Sequence, residues 1–274
     1  MAHTRGEWFE RLRHELRQGV RRPALAARIF DSHLCVAEFL LYGPTPYEEV
    51  MELADALRDT AQRSGVLRAV AFATALRGET AYLMGDLELA RAELSEAVEL
   101  HRDIGSAAGE AHSLQRLAEV ELESGRRAQA NRLLHRALPL ARYSGIALHL
   151  VQRVYGTMID AAADPQAARA MVDLAAAAVG PDDQCEFCSI MLAVPSAKAC
   201  AAVGDLDDAR RQLAVAERSA RRWEGTSWQA ALLEVRSHIA AAEGDRVPAR
   251  RLLEQAAELF EASGQPLHAR RCRA

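Results

Sequence analysis

The stretch Tyr82–Leu100, YLMGDLELARAELSEAVEL, decides the fold. It reads as the end of one helix, a turn at Gly85-Asp86, and a second, amphipathic helix. Glycine ends a helix where positive φ is easy, and an aspartate just after it supplies an N-cap oxygen. The phrase returns at Glu121–Leu140 (ELESGRRAQANRLLHRALPL), Asp160–Val179 (DAAADPQAARAMVDLAAAAV), Ala201–Ala220 (AAVGDLDDARRQLAVAERSA) and Ala241–Phe260 (AAEGDRVPARRLLEQAAELF). Aligning the small turn residues Gly85, Gly125, Ala163, Gly204 and Gly244 gives a period of about 40.

The aligned helices repeat their chemistry. Ala90, Ala130, Ala168, Ala209 and Ala249 share one slot; Leu94, Leu134, Val172, Leu213 and Leu253 share the next. Ala97, Ala137, Ala175, Ala216 and Ala256 follow. The alanines let paired helices approach, and the larger residue fills the groove between them. Asp86, Asp164, Asp205 and Asp245 stand where N-caps belong, and Pro165 sits at a first helical position, where proline is tolerated. A repeated helix pair is the pattern of a helical solenoid.

Composition agrees. Half of the 274 residues are hydrophobic, only 5% are aromatic, and runs of strand type are nearly absent, so the chain reads as all-α. The net charge of −4 argues against a dedicated nucleic-acid binder. The basic stretch Arg11–Arg28 reads better as a solvated helix face than as a DNA-reading helix. No run approaches the ~18 apolar residues of a membrane span, and the N-terminus, MAHTRGEWFERLRHELRQ, has no apolar signal core. The expected location is cytoplasmic, with Cys35, Cys185, Cys188, Cys200 and Cys272 reduced.

The periodicity predicts an N-terminal capping helix over 5–20 within a segment 1–22, then one helical-repeat domain, 23–274. Its helices are expected at 23–42 with 46–64, 66–84 with 87–103, 107–124 with 127–143, and 145–162 with 165–179. The last pairs are 183–203 with 206–222 and 226–243 with 246–263. Pro139 and Pro195 fall inside helices and should bend them. The tail from Pro266 begins a further helix; it is short for a polar end cap, which points to a truncated end or one covered by a partner.

Gly78, seven residues before Gly85, with Ala90, Leu94 and Ala97, resembles the small and large positions of a tetratricopeptide repeat. Ala118, Gly156, Ala197 and Ser237 take the Gly78 slot later. The resemblance implies a right-handed α-solenoid of about six helix pairs, here with longer helices and without that repeat's tryptophan. GEAHSLQRLAEV, HLVQRVYGTMI, CEFCSIMLAVPSAKACA, WEGTSWQAALLE and GQPLHARRC together resemble the C-terminal repeat region of large bacterial transcription regulators of the LuxR/MalT type, over roughly residues 25–273. Those regulators also carry an ATPase module and a helix-turn-helix; this chain has no GxxxxGK[ST] loop, and Lys198, its only lysine, stands in PSAKACA.

In tetratricopeptide arrays the first helix of each pair lines the concave face. That implies an inner surface of Phe72, Glu79, Tyr82, His112, Gln115, Glu119, Arg153, Thr157, Asp160, Lys198, Glu234 and His238. Such a mixed-charge groove suits a protein or peptide segment, or a small effector, in transcriptional regulation. No nucleophile elbow, phosphate cradle or fixed acid–base pair is legible, so neither catalysis nor a cofactor is expected.

The second motif is CEFC, Cys185–Cys188. With Asp182 or Asp183 as N-cap, both thiols would fall in the first turns of a helix, where its dipole favours thiolate. Three readings stand open. Cysteine packs well as a small apolar residue, which is the bland reading. A redox pair lacks the strand context of thioredoxin-type sites. A metal site would need His149, which begins the equivalent helix one repeat earlier, and a fourth ligand for which Asp182, Asp183 and the more distant Cys200 are candidates. Cys35, with Asp31 and His33, reads as packing.

Overall fold

The structure, a computed structural model, describes His14, Gln18 and residues 21–24, 34–180, 185–223 and 227–274. Most of the expected capping helix, with Asp31, His33, Asp182 and Asp183, lies outside the described residues. Thirteen helices and no strand occur among the described residues. They are α1 (Leu34–Tyr42), α2 (Tyr47–Ser64), α3 (Leu67–Met84), α4 (Leu87–Asp103), α5 (Ala107–Glu123) and α6 (Arg127–Tyr143). Then follow α7 (Ala147–Asp160), α8 (Pro165–Ala178), α9 (Ile190–Ala202), α10 (Leu206–Ala220), α11 (Ser227–Ala242), α12 (Arg246–Ala262) and α13 (Pro266–Arg273).

Local chemistry explains the boundaries. Asp86, Asp164 and Asp205 each accept a hydrogen bond from the amide three residues on, as does Ser106 at the head of α5. Asp245 holds the N-cap place without a side-chain cap bond. Gly85 and Gly244 take φ values of 90° and 92°, a region closed to most side chains. Ala163 needs no such freedom. There α7 stops early, at Asp160, and Asp164 restarts the chain in extended geometry at φ −152°, ψ 168°.

Consecutive helices pack as neighbours along the chain. The repeated small and large residues make the contact: a Cβ at Gly78 would stand 2.6 Å from Leu94 Cγ, so glycine seats the leucine. Leu94, Leu134, Ala90, Ala130, Ala209, Ala137 and Ala216 are buried. Both prolines lie within continuous helices, Pro139 in α6 and Pro195 in α9.

The array closes on itself. The final helix, α13, packs against α3, with Pro266 and Leu267 over Gly85. Gln265 Nε2 donates to Tyr47 Oη at 2.7 Å and to Ser227 Oγ at 2.8 Å. Arg271 pairs with Glu123 at 2.6 Å. The short tail thus packs on early helices of the same chain.

Helix α1 lies on the inner side of this closed array. Its Glu38 reaches Arg116 of α5 and Arg153 of α7. Its Phe39 meets Phe187 edge-on and lies tilted against Trp223, and Tyr42 lies tilted against Trp228. Only a segment inside the channel can touch all of these helices.

Candidate functional site in the central channel

The channel has a filled half and an open half. In the filled half Arg116 is the hub. Its Nε donates to Glu79 Oε2 at 2.7 Å, Nη1 to Glu119 Oε2 at 2.8 Å and to Tyr42 Oη at 3.0 Å, and Nη2 to Glu38 Oε2 at 3.0 Å. Arg153 Nη1 meets Glu38 Oε1 at 3.0 Å. His112 Nε2 donates to Glu79 Oε1 at 2.9 Å, and Gln115 Nε2 to Glu119 Oε1 and Thr157 Oγ1 at 2.7 and 2.8 Å.

The centre of this network is buried: the Glu38 and Arg116 side chains are 1% and 3% exposed. Burial alone would raise the Glu79 pKa, but His112 and Arg116 overcome it and hold the carboxyl at about 2. Burial lifts the Tyr42 phenol to about 12 against the pull of Arg116. A buried ion pair is stable only when its charges are matched and hydrogen-bonded, and Arg116, Glu38, Glu79 and Glu119 are each held by more than one contact.

The open half is a cavity of about 930 Å³. Tyr82, Glu119, Thr157, Asp160, Lys198, Glu234, His238, His268 and Arg271 line it. A chamber of about 120 Å³ under Tyr42 shares part of that lining and adds Gln115, Arg116 and Arg153. Lys198 Nζ pairs with Glu234 Oε1 at 3.3 Å. Burial lowers the Lys198 pKa, but Glu234 and Asp160 outweigh it and the net shift is upward. Glu234 is the converse: burial raises it, Lys198 and Arg271 lower it more, and it settles at about 2. Burial, then Arg271, brings His268 down to about 3; burial, then Lys198, lowers His238. Both imidazoles are therefore uncharged at neutral pH.

Asp160 stands apart. It is exposed to the cavity and makes no hydrogen bond or ion pair among the described residues. Desolvation by the surrounding walls raises its pKa, partly offset by Lys198.

The expected inner-face residues thus separate into three groups. Tyr82, Glu119, Thr157, Asp160, Lys198, Glu234 and His238 meet in the cavity. Gln115 and Arg153 face the small chamber. Glu79 and His112 are sealed behind it and Phe72 is core, so these three are not on an open groove. Sequence reasoning missed Glu38, Tyr42, Arg116, His268 and Arg271. Arg116 carried a signal, because it lies four residues after His112 on the same helix face.

CEFC falls differently from the expected register. Residues 186–189 form a turn and α9 opens only at Ile190, so both cysteines precede the helix. Phe187 anchors that turn. Its carbonyl accepts hydrogen bonds from Ser219 Oγ and Trp223 Nε1, both at 3.0 Å, and its ring stands edge-on to Phe39 at 5.2 Å. His149 of α7 does reach the motif: its Nδ1 is 3.5 Å from Cys188 Sγ.

Among known proteins, the chain matches no family model and no curated protein.

Proposed function

We propose that the protein is a non-catalytic helical-repeat receptor that takes a positively charged group, on a small effector or a peptide segment, into the open half of its channel. One observation carries this reading: Asp160, which makes no hydrogen bond or ion pair among the described residues, lines a charged, open cavity. Five carboxylates (Glu119, Glu123, Asp160, Asp164 and Glu234) face three cations (Arg127, Lys198 and Arg271) around it. The histidines add no charge at neutral pH. The cavity size suits a small ligand, for which concave sites of ~300–1,000 Å³ are usual. The seating of α1 in the other half favours peptide-like occupants, since that half already holds a helix of this chain.

The finer architecture belongs to the same proposal: a right-handed tetratricopeptide-like solenoid with a period of about 40. The resemblance to LuxR/MalT-type regulators suggests that occupancy is relayed to transcription by a small change in how the helix pairs stack.

The test is thermal unfolding with a panel of amines, arginine- and lysine-containing peptides, and matched carboxylates. A cationic binder at 100 times its Kd should stabilise the fold by about 2.7 kcal/mol. Asp160→Asn should abolish that shift without changing the unliganded Tm by more than about 1 °C, as expected of an exposed, unpaired group. Stabilisation by carboxylates and not by amines would reverse the charge assignment and end this reading.

A further inference from the structure

We propose that His149, Cys185 and Cys188 form a zinc(II) site. Each side chain offers one ligand atom, and all three atoms lie within 4.8 Å of one another. His149 Nδ1 is 3.5 Å from Cys188 Sγ. Around a tetrahedral zinc with Zn–S near 2.3 Å and Zn–N near 2.0–2.1 Å, a sulfur–nitrogen edge measures about 3.6 Å. The observed separation is already that of two ligands on one ion.

The ligands converge from separate elements. His149 comes from the first turn of α7, and the cysteines from the turn before α9. A Cys-x-x-Cys turn that precedes its helix lets both sulfurs point at one centre, while a histidine 39 residues away closes on them. Thiolate and imidazole together select zinc over the hard oxygen-seeking cations. Charge also favours it. Two thiolates and a neutral imidazole cancel a divalent ion, so the filled site carries no net charge into the interior. Binding releases the two thiol protons to solvent and forms two Zn–S bonds and one Zn–N bond. Three protein ligands leave one tetrahedral position for solvent.

The other groups of metal-type side chains are already committed. Glu38, Glu79 and His112 are held by Arg116 and Arg153. Cys200, Asp205 and Asp208 face Arg169.

The position gives the ion a task. Phe187, between the two cysteines, carries the ring that meets Phe39 of α1. Zinc would fix the turn that presents this ring and so hold α1 in the channel. The inference is independent of what occupies the open half.

The experiment uses the full untagged chain, purified without chelator, loaded with zinc and dialysed. Metal analysis should give one zinc per chain. Cobalt in its place should give the visible absorption of a tetrahedral thiolate complex. Cys185→Ser, at a half-buried position, and His149→Ala should each lose the metal and the cobalt spectrum; Cys200→Ser should keep both. Circular dichroism of each variant shows that it is folded. The cobalt spectrum of the unaltered chain decides the matter even where a variant does not fold. No metal retained after loading, a Cys185–Cys188 disulfide in the purified chain, or full zinc retention in Cys185→Ser would overturn the proposal.

Discussion

Gly156 shows how much one residue can hold in this protein. Pro195 has no amide proton to give the Met191 carbonyl four residues earlier, so that oxygen lacks its helical partner. Gly156 of α7 lies directly against it: a Cβ there would stand 2.1 Å from Met191 O. The obstacle is backbone, which cannot swing aside. Gly156→Ala should force α7 and α9 apart and destabilise the protein by about 1–3 kcal/mol or more, read as a lowered urea midpoint. Gly145→Ala, where nothing lies within 4 Å and φ is not positive, is the control and should be near neutral. Equal midpoints for the two variants would mean that the close approach carries no weight. The small residue in this slot was legible from the repeat. Its partner was not, because an orphaned carbonyl on another helix leaves no mark in the pattern. His149 beside Cys188 was legible in the same way, from repeat register alone. The turn around the cysteines was not, since nothing in DDQCEFCS separates a helix start from a turn that precedes one.

At the scale of the element, α1 is the unusual member. It is nine residues long, shorter than any other helix described except α13, and it is held by its side chains more than by helix-on-helix packing. Glu38 gives both carboxylate oxygens to buried arginines. Glu38→Ala would leave Arg116 and Arg153 short of a counter-charge in the interior, and breaking such a buried pair costs about 3–5 kcal/mol. The expected relief is local: α1 leaves the channel and water enters behind it. Hydrogen exchange should then show residues 34–42 losing protection while α3 to α12 keep theirs. Unchanged protection of that helix would show that its aromatic contacts suffice. Apart from the helix expected from 183, which begins only at Ile190, the paired helices were readable to within a few residues, because small turns recur at a fixed spacing and several are followed by a capping side chain (Asp86, Ser106, Asp205) and an amphipathic run. The place of α1 was not readable. Its sequence, LCVAEFLLY, is apolar nearly all round, so periodicity could not tell which face Glu38 would present.

For the molecule as a whole, burial makes the fold acid-sensitive in a defined window. His101 is buried, and burial, then the neighbouring His112, lowers its pKa from 6.5 to about 3. The unfolded chain therefore binds a proton that the folded chain refuses. Stability from this group is complete above pH 6.5 and falls as the pH drops toward 3, by about 1.4 kcal/mol per pH unit. Glu79, held at about 2 against an ordinary 4.5, adds a second loss that begins only below pH 4.5. Urea titrations at pH 7.5, 6 and 5 should show the first decline; His101→Leu should lessen it, and His268, also held at about 3, should account for a similar share of the rest. Equal stability at pH 7.5 and 5 in the parent protein would refute the assignment.

Closure of the array has a further consequence, for the order of events in synthesis. An open stack of helix pairs can form piece by piece, because each pair touches only its neighbours. Here the bond between Gln265 and Tyr47 spans 218 residues. At ~5–20 residues per second, the ribosome needs on the order of ten seconds or more to deliver the second partner after the first. Through that interval the early helices and the charged interior stand open to other chains. The segment from Gln265 through α13 is thus the latch, and the channel acquires its wall only once that segment has been made.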